Sequence, residues 1–281
     1  MTSARQRTPV YAGLNYLRPG QDRPVSYAFQ PPPGLPWESA EYELRTVPIR
    51  DGRDAVGVPN VDREGFELRD APSSVADFTD EDAVKADYYA ECAELALAVT
   101  GASEAYVFDH LLRKSEANRA PLSFGRRGAD GRPAANGRIH NDYTEASGRT
   151  RLELVLNDRA RAARVGRYAI VNIWRSIKGP ILDTPLAVCD ARSVVARDLV
   201  ASEVRYPQRT GEIYLATFSP AHRWSYFSAM DRHEALVFKQ YDAQLGGVAR
   251  FTPHAAFDHP AAPAEAPPRE SIEVRCLVVY A

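Results

Sequence analysis

His140 and Asp142 stand two residues apart in the stretch "RIHNDYT", 138–144. On a β-strand, residues i and i+2 project to the same face. An imidazole and a carboxylate would then enter together whatever the sheet encloses. Two such groups are two arms of a facial triad. Two histidines and one carboxylate, with three positions left open, suit mononuclear non-haem Fe(II). The open positions can take a bidentate 2-oxo acid and then O2. A bare H-x-D pair is also a common coincidence of surface and core-edge residues, so the third arm decides.

Four histidines follow: His222, His233, His254 and His259. His222 sits in a turn before a strand, and His233 lies beside a helix-cap signal; both read as surface or packing residues. His254 lies in the apolar run "ARFTPHAAF", where a lone histidine needs a partner. His259 precedes Pro260, which places it at a loop edge. His254 is favoured, with His259 in reserve. Beyond it, Arg269 and Ser271 form an R-x-S pair entering the last strand. A guanidinium fork and a hydroxyl on one strand face can hold the far carboxylate of a dicarboxylic acid. Arg275 shares their parity and is a weaker alternative. H-x-D, a later histidine and then R-x-S is the order found in Fe(II)/2-oxoglutarate oxygenases.

The elements that must carry these groups are short strands. "PVYAGLNYL" and "YELRTVPIRDGR" flank a Pro-rich segment, 19–37. "DFTDEDAVKADYYAECAELALAVTG" reads as a helix capped at Thr79 and closed at Gly101, with Val84, Tyr88, Cys92, Leu95 and Val99 in one apolar stripe. "EAYVFDHLLR", "YAIVNIW", "LAVCD", "EIYLATFS", "WSYFS" and "SIEVRCLVVY" read as strands. A helix is expected over 149–165, and "DRHEALVFKQYD" fits a helix or a strand. One long helix followed by many short strands predicts a mainly β fold with supporting helices, a double-stranded β-helix of the jelly-roll or cupin kind. The expected layout is a single domain, 1–281, with residues 1–75 wrapped on the core and 105–281 forming the β-helix. The Pro-rich segment and the Gly/Arg loop 125–137 could close over the site as lids.

Composition narrows the class. The 281 residues carry a formal net charge of −2, from 35 basic and 37 acidic groups, which points to neither nucleic acid nor a membrane surface as partner. Only Lys85, Lys114, Lys178 and Lys239 are lysines, so arginine is abundant and no single arginine is special by type. Cys92, Cys189 and Cys276 are widely spaced and form no CxxC pair, which fits a reducing cytosol. No 18-residue apolar run or leader-like h-region occurs.

The blocks "NIWRSIKGPILDTPLAVCDARSV", "HRWSYFSAMDRHEALVFKQYD", "TPHAAFDHP" and "RESIEVRCLVV" resemble one family. It contains asperfuranone-type hydroxylase/desaturases, gibberellin desaturases and cephamycin methoxylase-subunit-like proteins. The resemblance runs from "AGLNYL" to the C-terminal strand. It implies a double-stranded β-helix oxygenase of secondary metabolism using Fe(II), 2-oxoglutarate and O2. It implies His140, Asp142 and His254 as metal ligands and Arg269, with Ser271, as the co-substrate anchor. Ser176 stands where many relatives have proline, so the loop after it is expected to differ in shape.

The expected reaction is hydroxylation, desaturation or oxidative cyclisation of a small molecule, by a cytoplasmic enzyme for which a homodimer is allowed. Tyr143 flanks the metal motif. Asn172 and Trp174 share a strand face, and Arg175 closes that strand; these four are the expected substrate contacts. Asp190 and Arg192 read as a helix cap more than as a site. The rival readings are a zinc hydrolase on the same ligands and a non-catalytic or accessory subunit of a methoxylation-type complex. No glycine-rich S-adenosylmethionine loop is present to support methyl transfer.

Overall fold

The computed structural model describes residues 8–115 and 137–281. Most of the Gly/Arg loop, with its expected lid role, lies outside the described residues. The strands are β1 (Val10–Leu17), β2 (Val25–Tyr27), β3 (Tyr42–Asp51), β4 (Phe66–Asp70), β5 (Glu104–Lys114), β6 (His140–Asn141), β7 (Tyr168–Ser176), β8 (Leu186–Cys189), β9 (Leu199–Arg205), β10 (Thr210–Ala216), β11 (Trp224–Tyr226), β12 (Glu234–Asp242), β13 (His254–Ala256) and β14 (Glu270–Val279).

They form two sheets. The larger runs β1-β3-β11-β8-β13-β6-β10-β9-β2, and the smaller runs β4-β12-β7-β14-β5. The mainly β architecture expected from the sequence is therefore present, and β1 and β3 are part of the large sheet itself. Bridges from Asn15 to Arg138 and from Leu17 to Thr217 bring β1 back toward the sheet's middle. The large sheet thus curls round a core of Leu14, Tyr16, Ile49, Trp224 and Phe257.

The small sheet is buried on both faces, which is why β7 and β14 read as nearly continuous apolar runs. Its outer face carries Ala169, Val171, Ile173, Val274, Cys276 and Val278 against the helix. That helix begins as α1 (Glu81–Ala83), passes through a π turn at Val84–Tyr88 and continues as α2 (Tyr89–Thr100). Val84, Tyr88, Cys92, Leu95 and Val99 all pack on the sheet, as their spacing predicts. Fully burying one such side chain is worth about 1.5–3 kcal/mol. The cap is Asp80, not Thr79: Asp80 accepts from the backbone N–H of Asp82 and Ala83, whereas the Thr79 hydroxyl is spent on Asp77. Gly101 takes the left-handed conformation at the other end, φ 68°, with its N–H on the Leu97 carbonyl.

One further expectation is corrected, and the open choice after Asp231 falls to strand. The segment expected as one helix over 149–165 is two: α3 (Glu145–Leu156), capped by Thr144 and Ser147, and α4 (Arg159–Arg164), capped by Asp158. Asn157, at φ 48°, breaks them apart, a conformation asparagine tolerates better than most residues. The stretch after Asp231 is strand, because β12 is paired on both sides, by β4 and β7. Asp190 caps a short 3-10 turn, Ala191–Ser193, and binds Arg192 through both carboxylate oxygens, so the capping reading fits the geometry.

Candidate metal centre

Register builds this site. His140 on β6 and His254 on β13 sit directly opposite each other in an antiparallel pair. Val188 of β8 is the partner of His254 on its other side. Val188 packs with Trp174, Leu186, Leu236 and Phe238 in the core between the two sheets, so both imidazoles enter that interior. Asp142, two residues beyond His140, follows the same face. Ligand atoms of His140, Asp142 and His254 all lie within 4.8 Å of one another, with His140 Nε2 3.5 Å from Asp142 Oδ1. His222, His233 and His259 are elsewhere. His222 is held by Tyr16 and Asp198, His259 meets the Tyr226 hydroxyl, and His233 is exposed.

The hydrogen bonds prepare the donors. His140 Nδ1 lies 3.0 Å from the Arg138 carbonyl, and His254 Nδ1 lies 3.3 Å from the Thr252 carbonyl. A carbonyl only accepts, so His140 Nδ1 carries the proton and its Nε2 presents the lone pair, whereas His254 Nδ1 also lies 3.5 Å from the Gln240 amide nitrogen. Burial, reinforced by His254, holds His140 well below the ordinary histidine range and therefore neutral. Burial alone would raise the Asp142 carboxyl. The Arg275 guanidinium, then His140 and His254, pull it far below the usual carboxylate range. Asn172 Nδ2 and Arg275 Nε donate to Asp142 Oδ2, at 2.9 and 3.0 Å. Two imidazoles and one ionised carboxylate form a donor set suited to Fe(II).

A narrow cavity adjoins the cluster, lined by His140 and His254 together with Trp174, Arg113, Arg269 and Glu273. Arg269 is 3% exposed. Its Nη1 donates to the Thr184 carbonyl and its guanidinium lies 5.5 Å from the Trp174 ring centre. Burial, helped by Arg113, lowers its pKa to about 10, so it stays cationic at neutral pH. Arg269 Nε and Ser271 Oγ are buried without a hydrogen-bond partner among the described residues. Such orphans are costly unless a ligand satisfies them. An anionic co-substrate with a carboxylate at this end fits both.

The remaining expected contacts divide. Asn172 and Trp174 are buried in the small sheet, and Asn172 is bonded to Asp142. Arg175 points the other way: its Nε donates to the Tyr88 hydroxyl and its Nη1 to the Arg232 carbonyl, under the helix. Alternation along β7 requires this, because Asn172 and Trp174 take the inner face. Tyr143 packs with Leu152, Tyr168 and Leu277 beneath α3, and burial pushes its phenol up to about 12. Ser176 hydrogen-bonds Gly179, closing the turn that follows β7. Sequence reasoning missed Arg113 and Glu273 as lining residues. The parity of 269, 271, 273 and 275 on one strand was the available signal for Glu273. Arg113 offered a similar one only through its pairing with Ser271.

Known proteins carry the same architecture. Residues 14–279 match a family model described as oxidoreductase/YMDC permease-like domain. Among the described residues, no helix is long and apolar enough to cross a membrane. The hydroxylase/desaturase efuI of Hormonema carpetanum is 34% identical across 100% of this chain and 98% of its own length. The Fe(II)/2-oxoglutarate-dependent dioxygenase nvfI of Aspergillus novofumigatus is 31% identical, covering 97% of each. A solved structure of the iron and alpha-ketoglutarate-dependent endoperoxidase NvfI superposes with a TM-score of 0.85 at 26% identity, over 98% of this chain and 99% of that one. With this coverage, and with two histidines and a carboxylate gathered between its sheets, the chain belongs to the family of Fe(II)/2-oxoglutarate-dependent hydroxylase/desaturase oxygenases.

Proposed function

We propose that His140, Asp142 and His254 hold the Fe(II), and that Arg269 and Ser271 receive the far carboxylate of 2-oxoglutarate. The observation that carries this reading is the cluster itself: three potential ligand groups whose donor atoms lie within 4.8 Å of one another between the two sheets. When bound, iron, O2 and 2-oxoglutarate supply the oxidising chemistry, with the co-substrate leaving as succinate and CO2. The chain's own residues bind and orient. His140 presents Nε2 to the metal position because its Nδ1 proton is held by the Arg138 carbonyl. Trp174 walls the cavity under the Arg269 guanidinium and keeps water from that ion pair. Asn172 Oδ1 is buried without a partner among the described residues, which leaves an acceptor for a donor group on the small-molecule substrate.

The reaction is C–H oxidation of that substrate: hydroxylation, desaturation or oxidative cyclisation. The chain is read as one oxygenase domain, and its three buried free cysteines suit a cytosolic setting. A hydrolase on the same ligands would need an unengaged base beside the metal. Glu273, the acid lining the cavity, is instead paired with Arg275. His140→Ala should lose Fe(II) binding and substrate-triggered succinate formation together. Succinate formation that survives in this variant would overturn the assignment.

A further inference from the structure

Arg275 is only half-buried, its side chain 15% exposed, and it sits at the centre of an acidic cluster that spans both sheets. Its three donor nitrogens have three different acceptors. Nε bonds Asp142 Oδ2 at 3.0 Å, Nη2 bonds Glu273 Oε1 at 3.1 Å, and Nη1 bonds Asp109 Oδ2 at 2.8 Å. Its strand neighbours fix this arrangement. In the small sheet, Asp109, Arg275, Asn172 and Phe238 lie in one transverse row across β5, β14, β7 and β12. Arg275 and Asn172 are directly opposite, and both reach across to the same carboxylate oxygen.

The consequence lies in which oxygen is taken. Oδ1 is the Asp142 atom 3.5 Å from His140 Nε2. Oδ2 already accepts two hydrogen bonds, one of them charge-assisted. For Asp142 to chelate an ion with both oxygens, or to rotate and offer Oδ2, these bonds would have to break. A hydrogen bond to a charged group is worth about 1.5–3 kcal/mol. Arg275 cannot follow the carboxylate, because Asp109 and Glu273 hold its other two nitrogens. A carboxylate so held spends one coordination position, not two, and three remain for co-substrate and O2.

We propose that Arg275, with Asn172, is a positioning residue that fixes Asp142 as a single-oxygen metal ligand. This rests on the metal assignment made above. It also separates Arg275 from the co-substrate. Its nitrogens are committed to carboxylates, whereas Arg269 Nε and Ser271 Oγ have no hydrogen-bond partner among the described residues. Through Glu273, which lines the cavity beside Arg113 and Arg269, Arg275 also links the cavity wall to the metal ligand.

The test uses Co(II) as probe in the full chain, without oxygen, reading affinity and the visible ligand-field spectrum. Arg275→Met and Asn172→Ala should each weaken Co(II) binding by roughly 10- to 100-fold, as outer-shell changes commonly do. Each should also shift the Co(II) spectrum, because the carboxylate is released from its one-oxygen mode. Arg275→Lys keeps the charge but loses the fork, and should restore affinity in part without restoring the spectrum. If Arg275→Met does not fold, Asn172→Ala decides alone. Folded variants with wild-type affinity and spectrum overturn the proposal. So does an Arg275→Met protein that binds Co(II) normally but has lost 2-oxoglutarate affinity, because Arg275 would then be an anchor for the co-substrate. Wild-type protein that binds no Co(II) would instead refute the underlying metal assignment, so the two failures are distinguishable.

Discussion

The ring centres of His140 and His254 lie 4.3 Å apart, and the two residues face each other across paired antiparallel strands although 114 positions separate them in the chain. Cross-strand neighbours on one face are the closest side chains a sheet can offer. The site is therefore assembled by two geometries: i to i+2 along β6, and direct opposition between β6 and β13. Phe238, whose ring centre is 4.8 Å from that of His254, backs it from the small sheet.

This pairing predicts a sharp contrast between two nearby histidines. His254→Ala should weaken divalent-metal binding by more than about 100-fold, beyond what outer-shell changes cost. His259→Ala should leave metal binding unchanged, because that ring serves the Tyr226 hydroxyl at 3.1 Å. Calorimetric titration with Mn(II) measures both. Equal losses in the two variants would dissolve the assignment of the third ligand.

The co-substrate end makes a separate prediction. Arg269→Met should raise the KM for 2-oxoglutarate by about 10- to 100-fold, the worth of one or more charge-assisted hydrogen bonds. Ser271→Ala should raise it several-fold less, since a neutral hydroxyl contributes about 0.5–1.5 kcal/mol. Metal affinity should change little in either. An unchanged KM in Arg269→Met would send the search to Arg113, the other arginine of the cavity wall.

Much of this was legible in the chain because alternation is local. The His140–Asp142 pair needs only a strand, and so does the parity of Arg269, Ser271 and Arg275. Opposition of His140 and His254 needs a register, and nothing in "RIHNDYT" or "TPHAAF" states which strands are neighbours. Arg275 shows the same limit. Its parity announced that it faces inward, but its acceptors come from β5, from its own strand and from beyond β6. Asn157 is the local counterpart: a polar residue inside a helical pattern, whose left-handed backbone ends α3. Periodicity alone ran straight through it.

Arg175 tests the distinction between the two faces of β7. It is 2% exposed, bonds Tyr88 and the Arg232 carbonyl, and stacks 5.0 Å from the Tyr88 ring centre. Arg175→Met should lose roughly 1–3 kcal/mol of stability, because it strands the buried Tyr88 hydroxyl and the partly buried Arg232 carbonyl. At this chain length that is a fall of several degrees in melting temperature. Mn(II) affinity and the KM for 2-oxoglutarate should stay at wild-type values. A raised KM with unaltered melting would place Arg175 in the site after all.

His222 gives a prediction in pH. It is buried against Tyr16 and Trp224, and Asp198 lies 3.2 Å from Nε2. Burial lowers its pKa, and the pull of Asp198 in the opposite direction does not restore it. The folded protein therefore takes up this proton at a lower pH than the unfolded chain, where histidine titrates near 6.5. Stability from this group is fully present above about pH 6.5 and is lost as pH falls through that value toward the folded pKa. The slope is at most about 1.4 kcal/mol per pH unit for one proton. Other groups titrate over the same range, so the comparison is between slopes. Urea unfolding of wild type and His222→Gln, from pH 8 to pH 5, should give a shallower acid loss in the variant even if it is less stable throughout. Parallel slopes would mean that His222 carries its proton equally in both states, and that Asp198 holds a charged ring in the core.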